Sequence, residues 1–231
     1  MGTIGLIGGM SWESTVSYYH VINQQVKTQL GGLHSAKIIL HSVDFAQIEQ
    51  LQHQGKWQEL ADILADAARG LERAGAECVL ICTNTMHKVA DMVEQATKLP
   101  LIHIADATAK ALIKEQIRKV GLLGTRFTME QDFYKQRLQD KFAIEVVTPD
   151  QADRDLVHNV IYDELCLGKI NPCSREAYLT IMQNLVDKGA QAIILGCTEI
   201  ALLVSQNDTD IPLYNTTDIH ALAAVDFALN I

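Results

Sequence analysis

The chain has 231 residues, 48% hydrophobic and 20% charged, so it can bury a sizeable core and is no disordered segment. Nineteen Lys and Arg against 28 Asp and Glu give a net charge of −9 with no basic block, which argues against nucleic acid or anionic membrane as partners. No apolar run approaches the roughly 18 residues that span a bilayer, and residues 1–10 lack a basic n-region, so a cytoplasmic protein without a signal peptide is expected.

In chain order, Thr3-Ile4-Gly5-Leu6-Ile7 reads as a buried strand stopping at Gly8-Gly9, and residues 11–29 read as a helix. Residues 36–43 form a second strand. A helix over 56–74 puts Leu60, Ile63, Leu64, Ala67 and Leu71 on one face. Cys78 to Ile81 is a third strand, followed by a helix over 85–97. Strands alternating with helices of this length build βαβ units and a parallel sheet covered on both faces.

The second half repeats the first. Lys119-Val120-Gly121-Leu122-Leu123-Gly124 matches Thr3 to Gly8 at a displacement of 116. Gly189-Ala190-Gln191 and the strand after it match Gly75-Ala76-Glu77 at 114. Ile211-Pro212-Leu213, with Asp218, matches Leu99-Pro100-Leu101, with Asp106, at 112. Ordered matches at nearly constant offset predict an α/β fold of two similar lobes with parallel sheets, related by a pseudo-two-fold. Residues 1–105 plus 211–231 form the first lobe and 106–210 the second. An active site is expected in the cleft between them, because ligands of open α/β sheets bind beyond the carboxyl ends of the strands.

The residues at those ends are therefore the ones to read. Cys82-Thr83-Asn84-Thr85-Met86-His87 follows the third strand, and Gly196-Cys197-Thr198-Glu199 follows its counterpart. Each opens a helix in this reading, and a helix N-terminus favours a thiolate. Cys78, Cys166 and Cys173 read as small buried hydrophobes. Five cysteines, an odd number in a chain with no secretion signal, suggest free thiols, and no Cys or His spacing suits a metal. Gly5-x-x-Gly8-Gly9 is not a nucleotide loop, and no Cys-x-x-Cys supports thiol redox chemistry.

Gly8-Gly9-Met10, Asn84-Thr85-x-His87, Gly124-Thr125-Arg126 and Gly196-Cys197-Thr198-Glu199 together resemble the cofactor-independent aspartate/glutamate racemases, in order and over essentially the whole chain. The resemblance implies α-carbon inversion without pyridoxal phosphate, one group removing the proton and another returning it on the opposite face. It assigns the catalytic positions to Cys197 and Thr83. It also implies a small amino-acid substrate, no cofactor and no metal; a homodimer is the base-rate expectation for such an enzyme. Candidates for holding the substrate are Met10, Gln52, Asn84, Thr85, Thr125, Thr198 and Glu199, with Gln52 equally readable as a solvated helix residue and His87 as a capping or packing residue.

Two departures from the family pattern matter. The family's first motif is Cys-Asn-Thr-x-His, but Thr83 precedes Asn84 here, and the 114-residue displacement independently matches Thr83 to Cys197. Cys82 lies one residue earlier and points to the other face of the strand. A threonine hydroxyl stays protonated at working pH, so a bias towards the L-isomer is expected. Secondly, the family often carries a basic residue where Ile161-Tyr162-Asp163-Glu164-Leu165-Cys166 places Cys166. Racemisation of aspartate or glutamate is the first expectation. A broad-specificity racemase, a maleate-isomerase-like or arylmalonate-decarboxylase-like enzyme, and a non-catalytic amino-acid binder stay open.

Overall fold

Two parallel β-sheets, one of three strands and one of four, organise residues 1–230, the part of the chain that the computed structural model describes. The first elements are β1 (Thr3–Gly8), α1 (Trp12–Leu30), β2 (Lys37–Ser42), α2 (Phe45–His53), α3 (Trp57–Arg73) and β3 (Cys78–Ile81). A 3-10 turn (Thr85–Val89), α4 (Ala90–Gln95) and α5 (Ile104–Lys114) follow. Then come β4 (Lys119–Gly124), α6 (Arg126–Glu130), α7 (Asp132–Phe142), β5 (Glu145–Val147), α8 (Gln151–Asp163) and α9 (Pro172–Asp187). The chain closes with β6 (Ala192–Gly196), α10 (Ile200–Leu203), β7 (Leu213–Asn215) and α11 (Thr216–Leu229). No described helix is long and apolar enough to cross a membrane.

The chain divides into two compact units, residues 1–104 with the segment from Thr217 on, and residues 105–216. In the first, the strand order is β2-β1-β3, all parallel. Strand side chains alternate between faces, and the two faces bury different partners. Ile7, Val79 and Ile81 pack with Leu60, Leu64 and Leu71 of α3, while Ile4, Leu6, Leu80 and Cys82 pack with Tyr18 and Ile22 of α1 and Ala221 and Val225 of α11. Helix α3 forms because its apolar residues recur every three or four positions, so one stripe meets the sheet. Each fully buried leucine of that stripe contributes about 1.5–3 kcal/mol, and Leu64→Ala would cost about 2–5 kcal/mol.

In the second unit the order is β5-β4-β6-β7, again parallel, with Leu123, Ile193 and Leu195 packed against α8 and α9. The repeat read from the sequence extends to individual hydrogen bonds. Gly75 and Gly189 both turn the chain with positive φ, 92° and 93°, and donate to Glu72 O and Val186 O at 3.0 and 2.8 Å. Val79 N donates to Pro100 O at 3.0 Å, and Ile193 N to Pro212 O at 2.9 Å. Residues 211–216 thus stay with the second sheet, where Leu213 pairs with Ile193, and the return to the first unit falls at Thr217 instead of Ile211.

The helices that follow the two Pro-Leu segments are exchanged. Helix α5 ends the first repeat but, beyond Ile104, belongs to the second unit; α11 ends the second repeat but, after Thr216, belongs to the first. Tyr18 of α1 donates to His220 Nδ1 of α11 at 2.8 Å, and its counterpart Tyr134 of α7 faces Thr108 of α5.

The expected helix over 85–97 is broken into the 3-10 turn and α4, and the cause is local. In an α-helix Thr83 O would accept from His87 N. Here His87 Nδ1–H takes that carbonyl at 2.8 Å, and His87 N bonds Asn84 O at 3.1 Å instead. A side chain has displaced the backbone donor, which tightens the turn.

Candidate active site

At the end of β1, Gly9 has φ +88°, and a Cβ there would lie 2.3 Å from Val43 O, so only glycine fits. Its N–H donates to Thr15 Oγ1 at 2.8 Å, which fixes the turn leading to buried Met10. Gln52 ends the apolar face of α2 begun by Ile48 and Leu51, and is only 4% exposed. It is therefore not the solvated residue it could have been. Its Nε2 donates to Met86 Sδ at 3.1 Å, while its Oε1 receives no hydrogen bond from the described residues. Asn84 and Thr85 are buried in the turn that carries Met86, so Met10, Gln52, Asn84 and Thr85 gather at the carboxyl end of the first sheet.

Thr83 follows Ile81 by two residues, and Ile81 pairs with Ile7 of β1. Its side chain is half-buried. His87 holds its carbonyl through Nδ1–H, and Nε2 accepts from Ile104 N at 3.2 Å, which sets the tautomer. Cys82 is fully buried against α1 and α11, and burial pushes its thiol well up. Burial likewise raises Cys78 to about 11. Neither sulfur is suited to act as a base near neutral pH.

In the second unit, Thr125 follows β4 and its Oγ1 caps α6 by accepting from Thr128 N at 3.4 Å. Cys197 follows Leu195 by two residues, and Leu195 pairs with Leu123 of β4. Gly196 allows this approach: a Cβ on it would lie 2.8 Å from Leu123 O. Thr198 and Glu199 are buried, and Glu199 Oε2 accepts from Thr198 Oγ1 at 2.7 Å and from Cys197 Sγ at 2.9 Å.

These contacts overturn the expectation of a favoured thiolate. Burial, then the Glu199 charge, pushes the Cys197 thiol well above its ordinary value. Helix α10 spans four residues, so few peptide dipoles align to offset that penalty. The same holds after β3, where a 3-10 turn replaces the expected helix start. Cys166 is half-buried, and Cys173 is exposed at the start of α9, not buried as its composition suggested. Among the described residues no group of three His, Cys, Asp or Glu side chains is arranged to hold a metal ion. The sequence signal that Glu199 could reach Cys197 was their two-residue spacing across a tight turn.

Residues 7–224 match the family described as Asp/Glu/Hydantoin racemase. A proposed Asp/Glu racemase from Yersinia pestis has a solved structure that is 60% identical, with a TM-score of 0.93 over 99% of this chain and 100% of that one. An aspartate racemase homologue from Pyrococcus horikoshii is 33% identical, with a TM-score of 0.85 over 99% and 100%. The broad-specificity amino-acid racemase RacX of Bacillus subtilis is 24% identical over 69% of this chain and 68% of its own length.

Proposed function

The chain belongs to the Asp/Glu/hydantoin racemase family, and from that premise we propose that it inverts the α-carbon of aspartate or glutamate without pyridoxal phosphate, using Cys197 and Thr83 on the two faces of the substrate. Inversion requires a base on one face and an acid on the other. The observation that carries this assignment is the matched register: Ile81 and Leu195 pair with equivalent strand residues, and Thr83 and Cys197 each follow by two. Cys197 removes the proton of the L-isomer, and the Thr83 hydroxyl returns one. The D-isomer reacts poorly, because Thr83 would first have to become an alkoxide.

The carbanion needs hydrogen-bond donors around the α-carboxylate, and Asn84, Thr85, Thr125 and Thr198 supply amide and hydroxyl groups. The open Oε1 of Gln52 suits a donor such as the substrate ammonium. Met10 walls the site and Glu199 borders it. The partners in this reading are a cytoplasmic amino acid and a second copy of the chain. Exposed Trp12, Val16 and Tyr19, at helical spacing on α1, offer apolar surface for the latter.

The test is solvent-deuterium incorporation at Cα of each enantiomer of aspartate and glutamate, after dialysis against chelator and hydroxylamine. Incorporation into the L-isomers with little into the D-isomers is expected. None into any of the four would exclude the assignment. A broad-specificity racemase is the second reading, favoured by Cys166 standing where a cation for a distal carboxylate was expected and by the RacX relative. A chiral assay across the common amino acids decides between them.

A further inference from the structure

Helices α2 and α8 occupy matched places in the two units. Each follows an edge strand, β2 beside β1 and β5 beside β4, and each starts from an aspartate N-cap, Asp44 and Asp150. Eight residues beyond the cap stand Gln52 in one and His158 in the other, both buried. Gln52 reaches the turn after β3 through Met86. His158 reaches the turn after β4, where its Nδ1 accepts from Arg126 N at 3.2 Å. An accepting Nδ1 carries no proton, so the neutral ring holds its proton on Nε2.

His158 shares α8 with Val157, Val160 and Ile161 of the core, so an aliphatic side chain would suit its surroundings. A polar ring buried there costs free energy unless it is hydrogen-bonded, and the Arg126 amide supplies a partner. Arg126 opens α6, whose first amides find no carbonyl within the helix. Thr125 Oγ1 takes the Thr128 amide, and His158 takes that of Arg126. The Arg126 guanidinium also meets α8, at Asp155 Oδ1, 2.8 Å away, but that pair is exposed and holds the turn weakly. We propose that His158 is a positioning residue: through Nδ1 it fixes the turn that carries Thr125, so that the Thr125 hydroxyl is held ready for the substrate. The role rests on the racemase reading above. His158 touches no reacting atom and moves no proton. Without it the Arg126 amide loses its acceptor and the turn loosens, which weakens ground state and transition state alike, so KM rises while kcat holds.

Two near-isosteric variants separate the two ring nitrogens. Asparagine puts Oδ1 where Nδ1 stands, whereas glutamine puts its amide near Nε2 and leaves Arg126 N without its acceptor. Deuterium incorporation at Cα of the L-amino acid that exchanges fastest gives KM and kcat for each variant, and urea unfolding gives stability alongside. His158→Gln should raise KM about 5- to 10-fold, the scale of one lost neutral hydrogen bond, with kcat within about twofold of wild type. His158→Asn should keep both within about twofold of wild type on the same scale. His158→Leu, which keeps the apolar packing and removes both nitrogens, should match His158→Gln and stands in for it if the longer amide does not fold. An unchanged KM in the folded Gln or Leu variant overturns the proposal whatever its urea midpoint, because a purely structural histidine changes stability without moving KM. So does a His158→Asn variant whose KM rises as far as that of His158→Gln. Wild-type protein that exchanges no amino acid removes the racemase reading and this role with it, whereas an unchanged KM removes this role alone.

Discussion

Thr83 and Cys197 stand at matched places in two sheets of the same register, yet the groups that fix the two turns differ in kind. Beside Thr83 an imidazole holds the backbone: His87 donates to the Thr83 carbonyl and accepts from Ile104 N–H. Beside Cys197 a buried carboxylate binds the side chain itself. The backbone repeat therefore fixes where each strand-end residue stands. A neighbour within the turn then holds the backbone in one case and the side chain in the other.

The largest expected effect removes one side of this comparison. Cys197→Ala should lower α-proton exchange by at least about 10³-fold, or about 4 kcal/mol, while Cys78→Ala and Cys173→Ala keep most of it. Full exchange in Cys197→Ala, measured by mass spectrometry of the recovered amino acid, would reassign the base.

Helix α11 is tied to α1 by the buried Tyr18–His220 hydrogen bond, where the second unit has Tyr134 facing Thr108. Burial depresses His220 to about 4 from 6.5, against an opposing hydrogen bond to Ile102 O. The folded state thus binds fewer protons than the unfolded chain between those values. Its stability is complete above about pH 6.5 and declines on the order of 3 kcal/mol as pH falls to about 4. Urea unfolding across that window should show the loss, and His220→Thr, which copies Thr108, should flatten it. An equal slope in His220→Thr would place the acid sensitivity elsewhere.

Converting Thr83 to its counterpart sharpens the comparison from the other side. Thr83→Cys should raise deuterium incorporation into the D-isomers by about 10²-fold, the usual scale for a positioned acid–base group. No change would mean that another group serves that face. The smallest effect belongs to His87→Ala, which frees the Thr83 carbonyl and should cost about 1–3 kcal/mol of stability in urea. Alkylation of Cys197 should be unmoved by it, and a shifted alkylation profile would tie His87 to the other strand end.

Much of this architecture is legible in the sequence because it lies in backbone periodicity. The Thr3 and Lys119 strands, the Gly75 and Gly189 turns and the match of Thr83 to Cys197 all follow from the displacement of 112–116 residues. The same displacement, taken at Ile211, already implies that its Pro-Leu segment stays with its own sheet, as Leu99-Pro100-Leu101 does. Side-chain choices at tight turns are less legible. His87 competing for a carbonyl ended a helix that the pattern over 85–97 favours, and burial, reinforced by the Glu199 charge, reversed the sign of the thiol shift. Gln52 lies between these cases: its spacing from Ile48 and Leu51 marks the buried face, although its residue type suggests solvent.

The exchanged helices bear on the order in which the chain is made. Domains generally fold as units while the ribosome is still extending the chain, the N-terminal one first. Here the chain's topology favours the reverse order. Residues 105–216 are continuous and include α5, so the second unit can close as soon as β7 has emerged. The first unit must wait with Ile4, Leu6 and Leu80 covered by α1 alone until α11 arrives with Ala221, Val225 and His220. A nascent chain halted before Thr217 would hold one finished core and one sheet face only partly covered, a natural substrate for a holding chaperone.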